Sequence, residues 1–406
     1  MSETEQTTNL TVAPRLTAQT KLDPSARLFL AGLRAVGWPP THERTIGQAR
    51  RDFRTLAAAT SGWRPMAHVD DALVHADGRD IPVRVYRPLH RSSPSPLLVW
   101  LHGGGFVIGD LFTADGTCRR LADACGAVVV SVDYRRAPEH PLPAAHEDAV
   151  AATVWAIDHC AELGGNPARI VVGGDSAGAN LAAHTVQMLR DHGPQRAAMQ
   201  LLVYPVTDLS LSHTDFDPRL AQLLTHKTLH WFGNHAMPNL TLAERRRADI
   251  SPMFADELDG LPPAMLITAE IDPLRSDGTA YLRRLRAAGV PVTHANYPGQ
   301  IHGFFDMDLI MPASSHAIAA AARAISTVHR VALPTHDADT AAVDWQTPSA
   351  EWQRRIVETT RRIPMVNAIP MMSTLLEHHM HTAATALRRK RRRGSPPKCL
   401  STSVEP

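Results

Sequence analysis

The feature that most constrains this chain is a series of short apolar runs separated by helical segments. The runs are LLVWL (97–101), AVVVSV (127–132), RIVVGG (169–174), LLVYP (201–205), AMLITA (264–269) and THANYP (293–298). Most are continuously apolar rather than alternating, which is the mark of parallel strands buried on both faces. Ahead of them, VDDALVHADGRDIPVRVYRP reads as two further strands joined at Asp77-Gly78, a hairpin turn signal. Segments such as AHEDAVAATVWAIDHCAEL, GTAYLRRLRAAG and SSHAIAAAARAISTVHRVAL supply helices between and after the runs. The pattern predicts an α/β fold: a mostly parallel sheet of eight strands with helices on both faces.

Two regions interrupt the alternation. LDPSARLFLAGLRAVG and TIGQARRDFRTLAAATSG read as helices, the first with Asp23 as N-cap, Pro24 in the first turn and Gly37 as the stop. Residues 206–249 also read as helical, with Leu220, Leu223, Leu224, Trp231 and Phe232 as apolar positions. Together, 22–66 and 206–249 are expected to form a cap over the carboxyl edge of the sheet. The sheet body is expected to span 67–205 and 250–333. Residues 1–21 read as disordered, being polar with few large apolar groups. The extension 334–406 reads as largely disordered or partly helical. Pro364 and Pro370 interrupt it. Met371 to Leu387 reads as an amphipathic helix, followed by six basic residues, Arg388 to Arg393.

The motif with the most chemistry is G-x-S-x-G, present as Gly174, Asp175, Ser176, Ala177 and Gly178. It lies between an apolar strand and an amphipathic helix, the context a nucleophile elbow requires. A serine hydroxyl is a weak nucleophile near neutral pH, so it needs a base, and the base needs an orienting acid. In this kind of sheet the acid and the histidine follow the serine in the chain. Asp272 lies just beyond AMLITA, and His302 follows the last strand in YPGQIHGFF. Both fall at carboxyl ends of strands, where open α/β sheets hold their sites. Glu270 and Asp277 are the competing acids. The run LHGGGFVIGD places three glycines directly after a strand. Such a loop can turn backbone N–H groups toward a developing oxyanion. Gly103 and Gly104 are the expected donors, with Ala177 after the nucleophile as the third. A phosphate-binding loop is excluded by spacing, since neither G-x-G-x-x-G nor G-K-[ST] occurs here.

With these motifs in order, the chain resembles the hormone-sensitive-lipase-like family of α/β-hydrolase esterases. HGGGF, VDYRRAPEHPLPAAHEDA, GDSAGAN, LDGLPPAMLITAEIDPLRSDG and YPGQIHGFF carry the resemblance, which covers about residues 67–333. It implies an α/β-hydrolase fold with a helical cap, and a serine carboxylesterase acting on short- to medium-chain esters through an acyl-enzyme. Ser176, Asp272 and His302 would be the triad. Gly103, Gly104 and Ala177 would be the oxyanion donors, with His102 and Tyr134 supporting their loop. Arg136, His146 and Ala179 depart from the usual residues. True lipase and amidase are the neighbouring activities. A non-catalytic small-molecule receptor is the alternative of another class, disfavoured by the complete triad.

No cofactor or metal is expected. The four cysteines, Cys118, Cys125, Cys160 and Cys399, form no C-x-x-C pair. The formal net charge of +2 is too balanced to imply nucleic acid. The N-terminus lacks a secretory pattern, and no apolar run approaches the roughly 20 residues that span a bilayer. A cytoplasmic location is therefore expected. The expected partner is a small-molecule ester, with a second copy of the chain as a further candidate. The basic tail reads first as a solvated extension that touches nothing, with weak contact to an anionic membrane surface and then nucleic acid as the alternatives.

Overall fold

The structure is a computed structural model that describes residues 20–91, 93–191 and 197–328 and the backbone of 337–339. The hairpin expected at Asp77-Gly78 joins β1 (Met66–Ala76) to β2 (Arg79–Pro88), with both turn residues at positive φ. The remaining strands are β3 (Ser95–Leu101), β4 (Val128–Val132), β5 (Gly165–Asp175), β6 (Met199–Val203), β7 (Ala264–Ile271) and β8 (Val292–Ile301). A three-residue β9 (Asp337–Asp339), from the extension, adds an edge that the sequence pattern did not announce. The sheet order is β1-β2-β4-β3-β5-β6-β7-β8-β9. β2 runs antiparallel to β1 and β4, and every pairing from β4 through β3 to β9 is parallel.

Period-two alternation divides the core into two layers. Leu97, Val99, Leu101, Val128, Val130, Val132, Ile170 and Val172 point to one side. There they meet α4 (Ala144–Asp158) through Ala145, Ala149, Ala152 and Ala156. They also meet α5 (Ala177–Asp191) and α7 (Arg275–Ala287). Leu98, Trp100, Val129, Val171, Leu201 and Val203 point to the other side. That layer is closed by α3 (Leu111–Cys125) and α8 (Pro312–Thr327), the latter through Ala313, Ala317, Ile318 and Ala321. Each fully buried Val or Leu contributes about 1.5–3 kcal/mol, so the central strands are held from both faces. α8 ends at Thr327, and residues 329–333 of the expected helix lie outside the described residues.

Above the carboxyl edge lie α1 (Pro24–Ala35) and α2 (Ile46–Thr60). Asp23 caps α1 by accepting from the Ser25 N–H, and Thr45 with Gln48 forms a capping box on α2. Arg50 ties α2 to the body: its Nε donates to Val107 O at 2.9 Å and its Nη2 to Ala137 O at 3.0 Å. Residues 206–249 are less helical than their apolar content predicted. The segment contains α6 (His226–Ala236) and one 3-10 turn, Glu244–Arg246. Its first part is irregular because aspartates compete for the backbone. Asp208, Asp215 and Asp217 each accept from the N–H two residues on, closing turns that a helix cannot contain.

Among the described residues no helix is long and apolar enough to cross a membrane. The helix expected at Met371–Leu387 and the basic run Arg388–Arg393 lie outside the described residues, as does the segment 1–19.

Candidate active site

Ser176 sits between β5 and α5 with φ at +55°, a value that costs a non-glycine residue strain. Its own N–H donates to Val203 O at 2.8 Å on the neighbouring strand, which pins the turn. Gly178 has to be glycine for a steric reason. A Cβ there would lie 2.5 Å from the carbonyl carbon of Leu101 and 2.6 Å from His102 O. The elbow is thereby packed directly against the end of β3, and the Ser176 hydroxyl projects above the sheet.

His302 follows β8, and Asp272 follows β7, one strand nearer the serine. His302 Nε2 is 2.9 Å from Ser176 Oγ, and His302 Nδ1 is 2.7 Å from Asp272 Oδ2. Asp272 is fully buried, and its Oδ1 accepts from the Leu274 N–H at 2.9 Å. The carboxylate is thus fixed before the imidazole meets it. The competing acids are engaged elsewhere. Glu270 Oε2 accepts from the Gly299 N–H at 2.8 Å. Asp277 accepts from the Thr207 N–H at 2.7 Å and from the Asp208 N–H at 3.2 Å. Burial holds the Asp277 carboxyl up at about 7, against hydrogen bonds from Thr207 that pull it down.

The glycine loop differs in one place from the expectation. The Gly103 N–H, expected to face an oxyanion, donates to Asp175 Oδ1 at 2.9 Å. Gly103 is therefore an anchor. A Cβ there would lie 3.0 Å from Asp175 O, so the two segments need its small size. Among the described residues the N–H groups of Gly104, Gly105 and Ala177 donate to no protein acceptor. The third glycine, Gly105, stands in the same run and, in place of Gly103, joins Gly104 as a candidate donor. Phe232 of α6 covers it, with a ring carbon 2.9 Å from where a Cβ would stand.

Below the loop, the Tyr134 hydroxyl donates to His102 O at 2.6 Å, and the two rings stack at 4.3 Å. His102 Nδ1 lies 2.8 Å from Gly103 O. Burial pushes the His102 imidazole below its usual range, favouring the neutral ring. The departures from the family pattern are absorbed locally. Arg136 donates to Gly109 O, and Ala179 is fully buried in α5. His146 Nε2 meets Asn180 Oδ1 at 2.8 Å, with burial pushing the imidazole down to about 3.

Tyr204 and Asp306 carried no sequence signal. Tyr204 follows β6, and its ring lies 4.6 Å from that of His302. Its hydroxyl donates to Asp306 Oδ2 at 3.0 Å, and Thr117 Oγ1 donates to Asp306 Oδ1 at 2.5 Å. Burial raises the Asp306 and Asp175 carboxyls, and their proximity raises Asp175 further. The histidine is thus backed by a ring whose far end is tethered.

A cavity of about 330 Å³ opens over Ser176. Its floor includes His302 and the glycine loop, and its walls include Leu33, Phe53, Leu224 and Phe232 from the segments above the sheet. A hydroxyl paired with a fixed imidazole, unspent N–H donors nearby and a mostly apolar chamber can together take an acyl group.

The profile of a family described as having the alpha/beta hydrolase fold matches residues 98–306. Carboxylesterase NlhH of Mycobacterium tuberculosis is 43% identical over 257 residues, 62% of this chain and 80% of that protein. Carboxylic ester hydrolase LipN of the same organism is 39% identical over 297 residues, 70% of this chain and 77% of its own length. Among solved structures, the hyperthermophilic esterase from the archaeon Pyrobaculum calidifontis is similar with a TM-score of 0.69 at 37% identity. That match covers 77% of this chain and all of the esterase. Sheet order, elbow, glycine loop and relatives converge: the chain belongs to the hormone-sensitive-lipase-like family of α/β-hydrolases and is a carboxylic ester hydrolase.

Proposed function

We propose that the chain hydrolyses short- to medium-chain carboxylic esters through an acyl-enzyme on Ser176. The observation that carries this reading is the unbroken line Ser176 Oγ, His302 Nε2, His302 Nδ1, Asp272 Oδ2, with contacts of 2.9 and 2.7 Å. His302 takes the serine proton as Oγ attacks the ester carbonyl, and returns it to the leaving alcohol. Asp272 holds the tautomer that leaves Nε2 free to accept. The tetrahedral oxyanion receives the N–H groups of Gly104, Gly105 and Ala177. Water, activated by the same imidazole, then releases the acid.

Acyl length follows from the chamber. A volume of about 330 Å³ is near the lower end for ligand pockets, and each buried methylene adds about 0.8 kcal/mol only while it has room. In a p-nitrophenyl ester series, kcat/KM should peak at about C4 to C8 and fall by C16, as the methylene increment runs out. A monotonic rise to the longest chain, with activation at a triglyceride interface, would instead support a true lipase.

A further inference from the structure

Arg245 belongs to the 3-10 turn Glu244–Arg246 and is only 8% exposed, yet among the described residues no carboxylate pairs with it. The nearby acids are spent elsewhere. Glu244 accepts from Thr241, Asp249 pairs with Arg247, and Asp208 pairs with His213. Arg245 Nε and Nη2 rest on Leu240 O and Met237 O at 3.3 and 3.5 Å. Those contacts are long beside the usual N–H···O distance of about 2.9–3.0 Å. Nη1 has no acceptor among the described residues.

The side chain lines the same cavity as Ser176. Room for it comes from Gly233, inside α6, where a Cβ would stand 2.9 Å from Arg245 Nη1. Glycine weakens a helix interior, so its presence here has a local use. Of the other two arginines on the cavity wall, Arg44 pairs with Asp52 at 2.7 Å, and Arg34 is exposed, so water solvates its charge. A guanidinium stays charged in a protein, and a charge buried without a counterion is costly. Apolar walls such as Phe232, Leu229 and Met237 strengthen its attraction for an anion that enters. A planar carboxylate matches the fork geometry of the free N–H groups.

We propose that Arg245 receives a second, free carboxylate carried by the substrate, so that the preferred esters are half-esters of dicarboxylic acids or esters of carboxylate-bearing alcohols. The proposal rests on the reading of this cavity as the ester site. Two substrate arms distinguish where the carboxylate sits. In the acyl arm, mono-p-nitrophenyl adipate and suberate are compared with their ω-methyl esters. In the alcohol arm, carboxyphenyl butyrate is compared with its methyl ester.

With the full chain near neutral pH, at least one arm should favour the free carboxylate by about 10- to 100-fold in kcat/KM, the range of a hydrogen bond to a charged group. In Arg245→Gln that ratio should collapse toward one. The ratio is internal to each protein, so a general loss of activity does not mimic it. If Arg245→Gln does not fold, the wild-type ratio and competitive inhibition by free adipate decide. Hydrolysis of the methyl esters with no carboxylate preference in either arm overturns the role of Arg245 and leaves the ester reading standing. A preference that survives in Arg245→Gln also overturns it. If no ester of either arm is hydrolysed, the ester reading falls and the inference falls with it.

Discussion

Gly104→Ala is the substitution on which the glycine loop should depend most. Gly104 has φ at +122°, and a Cβ there would stand 2.6 Å from the carbonyl carbon of Ile108, where ordinary contact begins near 3.4 Å. The obstacle is backbone, held in place because Gly104 O accepts from the Ile108 N–H at 2.9 Å and from the Val107 N–H at 3.1 Å. The loop therefore has to shift by roughly 1 Å, a displacement that can cost 10²-fold in rate. Loss of one oxyanion donor costs about 10²–10³ in kcat. The Gly104 and Gly105 amides move together, so kcat on p-nitrophenyl butyrate should fall by about 10³ or more, with KM changed far less. Gly289→Ala is the control. It also has positive φ, +76°, but nothing lies within 4 Å of its Cβ, so it should lower Tm slightly and leave kcat as it was. The assay is steady-state kinetics with thermal melting of both variants. A Gly104→Ala protein that melts normally and keeps kcat within tenfold of wild type would refute the assignment of this loop as the oxyanion site.

Asp272→Asn should lower kcat by roughly 10⁴ through the wrong imidazole tautomer, whereas Glu270→Gln should act mainly on stability because Glu270 holds the Gly299 N–H; kinetics that reverse this order would move the acid role to Glu270. Asp277 is held up at about 7 against an ordinary 3.8, so the folded state binds the extra proton and stability falls as pH rises from about 4 to about 7, by up to about 4 kcal/mol. Asp277→Asn should flatten that slope in denaturant titrations across pH, and an unchanged slope would refute the assignment. A chain ended at Leu333 loses β9, an edge strand of three residues, and should still hydrolyse soluble esters, as an activity assay checks. Anionic liposomes should retain the full chain better than this shorter one, the more so at low salt, and equal flotation would remove the tail from membrane contact.

The strands were legible because parallel strands buried on both faces leave short apolar runs with little else to read into them. Ser176, Asp272 and His302 were legible for a related reason: each follows a strand directly, so chain position stands in for space. The same logic failed at Gly103. The three glycines look alike in sequence, and only the Asp175 carboxyl beneath the first shows which N–H is spent. Tyr204, Asp306 and Arg245 left no trace: the first two act through the Tyr204–Asp306 and Tyr204–His302 contacts, across 102 and 98 positions, and Arg245 stands out only by its place on the cavity wall. Residues 206–225 carry apolar residues that suit a helix, but the aspartates among them take the backbone N–H groups into turns, and that competition does not show in apolar spacing.

The central claim is that Ser176 carries the acyl group. It is tested most directly by quenching a reaction with p-nitrophenyl butyrate in acid during the first turnover and mapping the adduct by peptide mass spectrometry. The account predicts a butyryl mass on the peptide containing Ser176, absent from Ser176→Ala and longer-lived in His302→Ala if any forms. Turnover of the ester by Ser176→Ala at the wild-type rate, or an adduct on another residue, would contradict it.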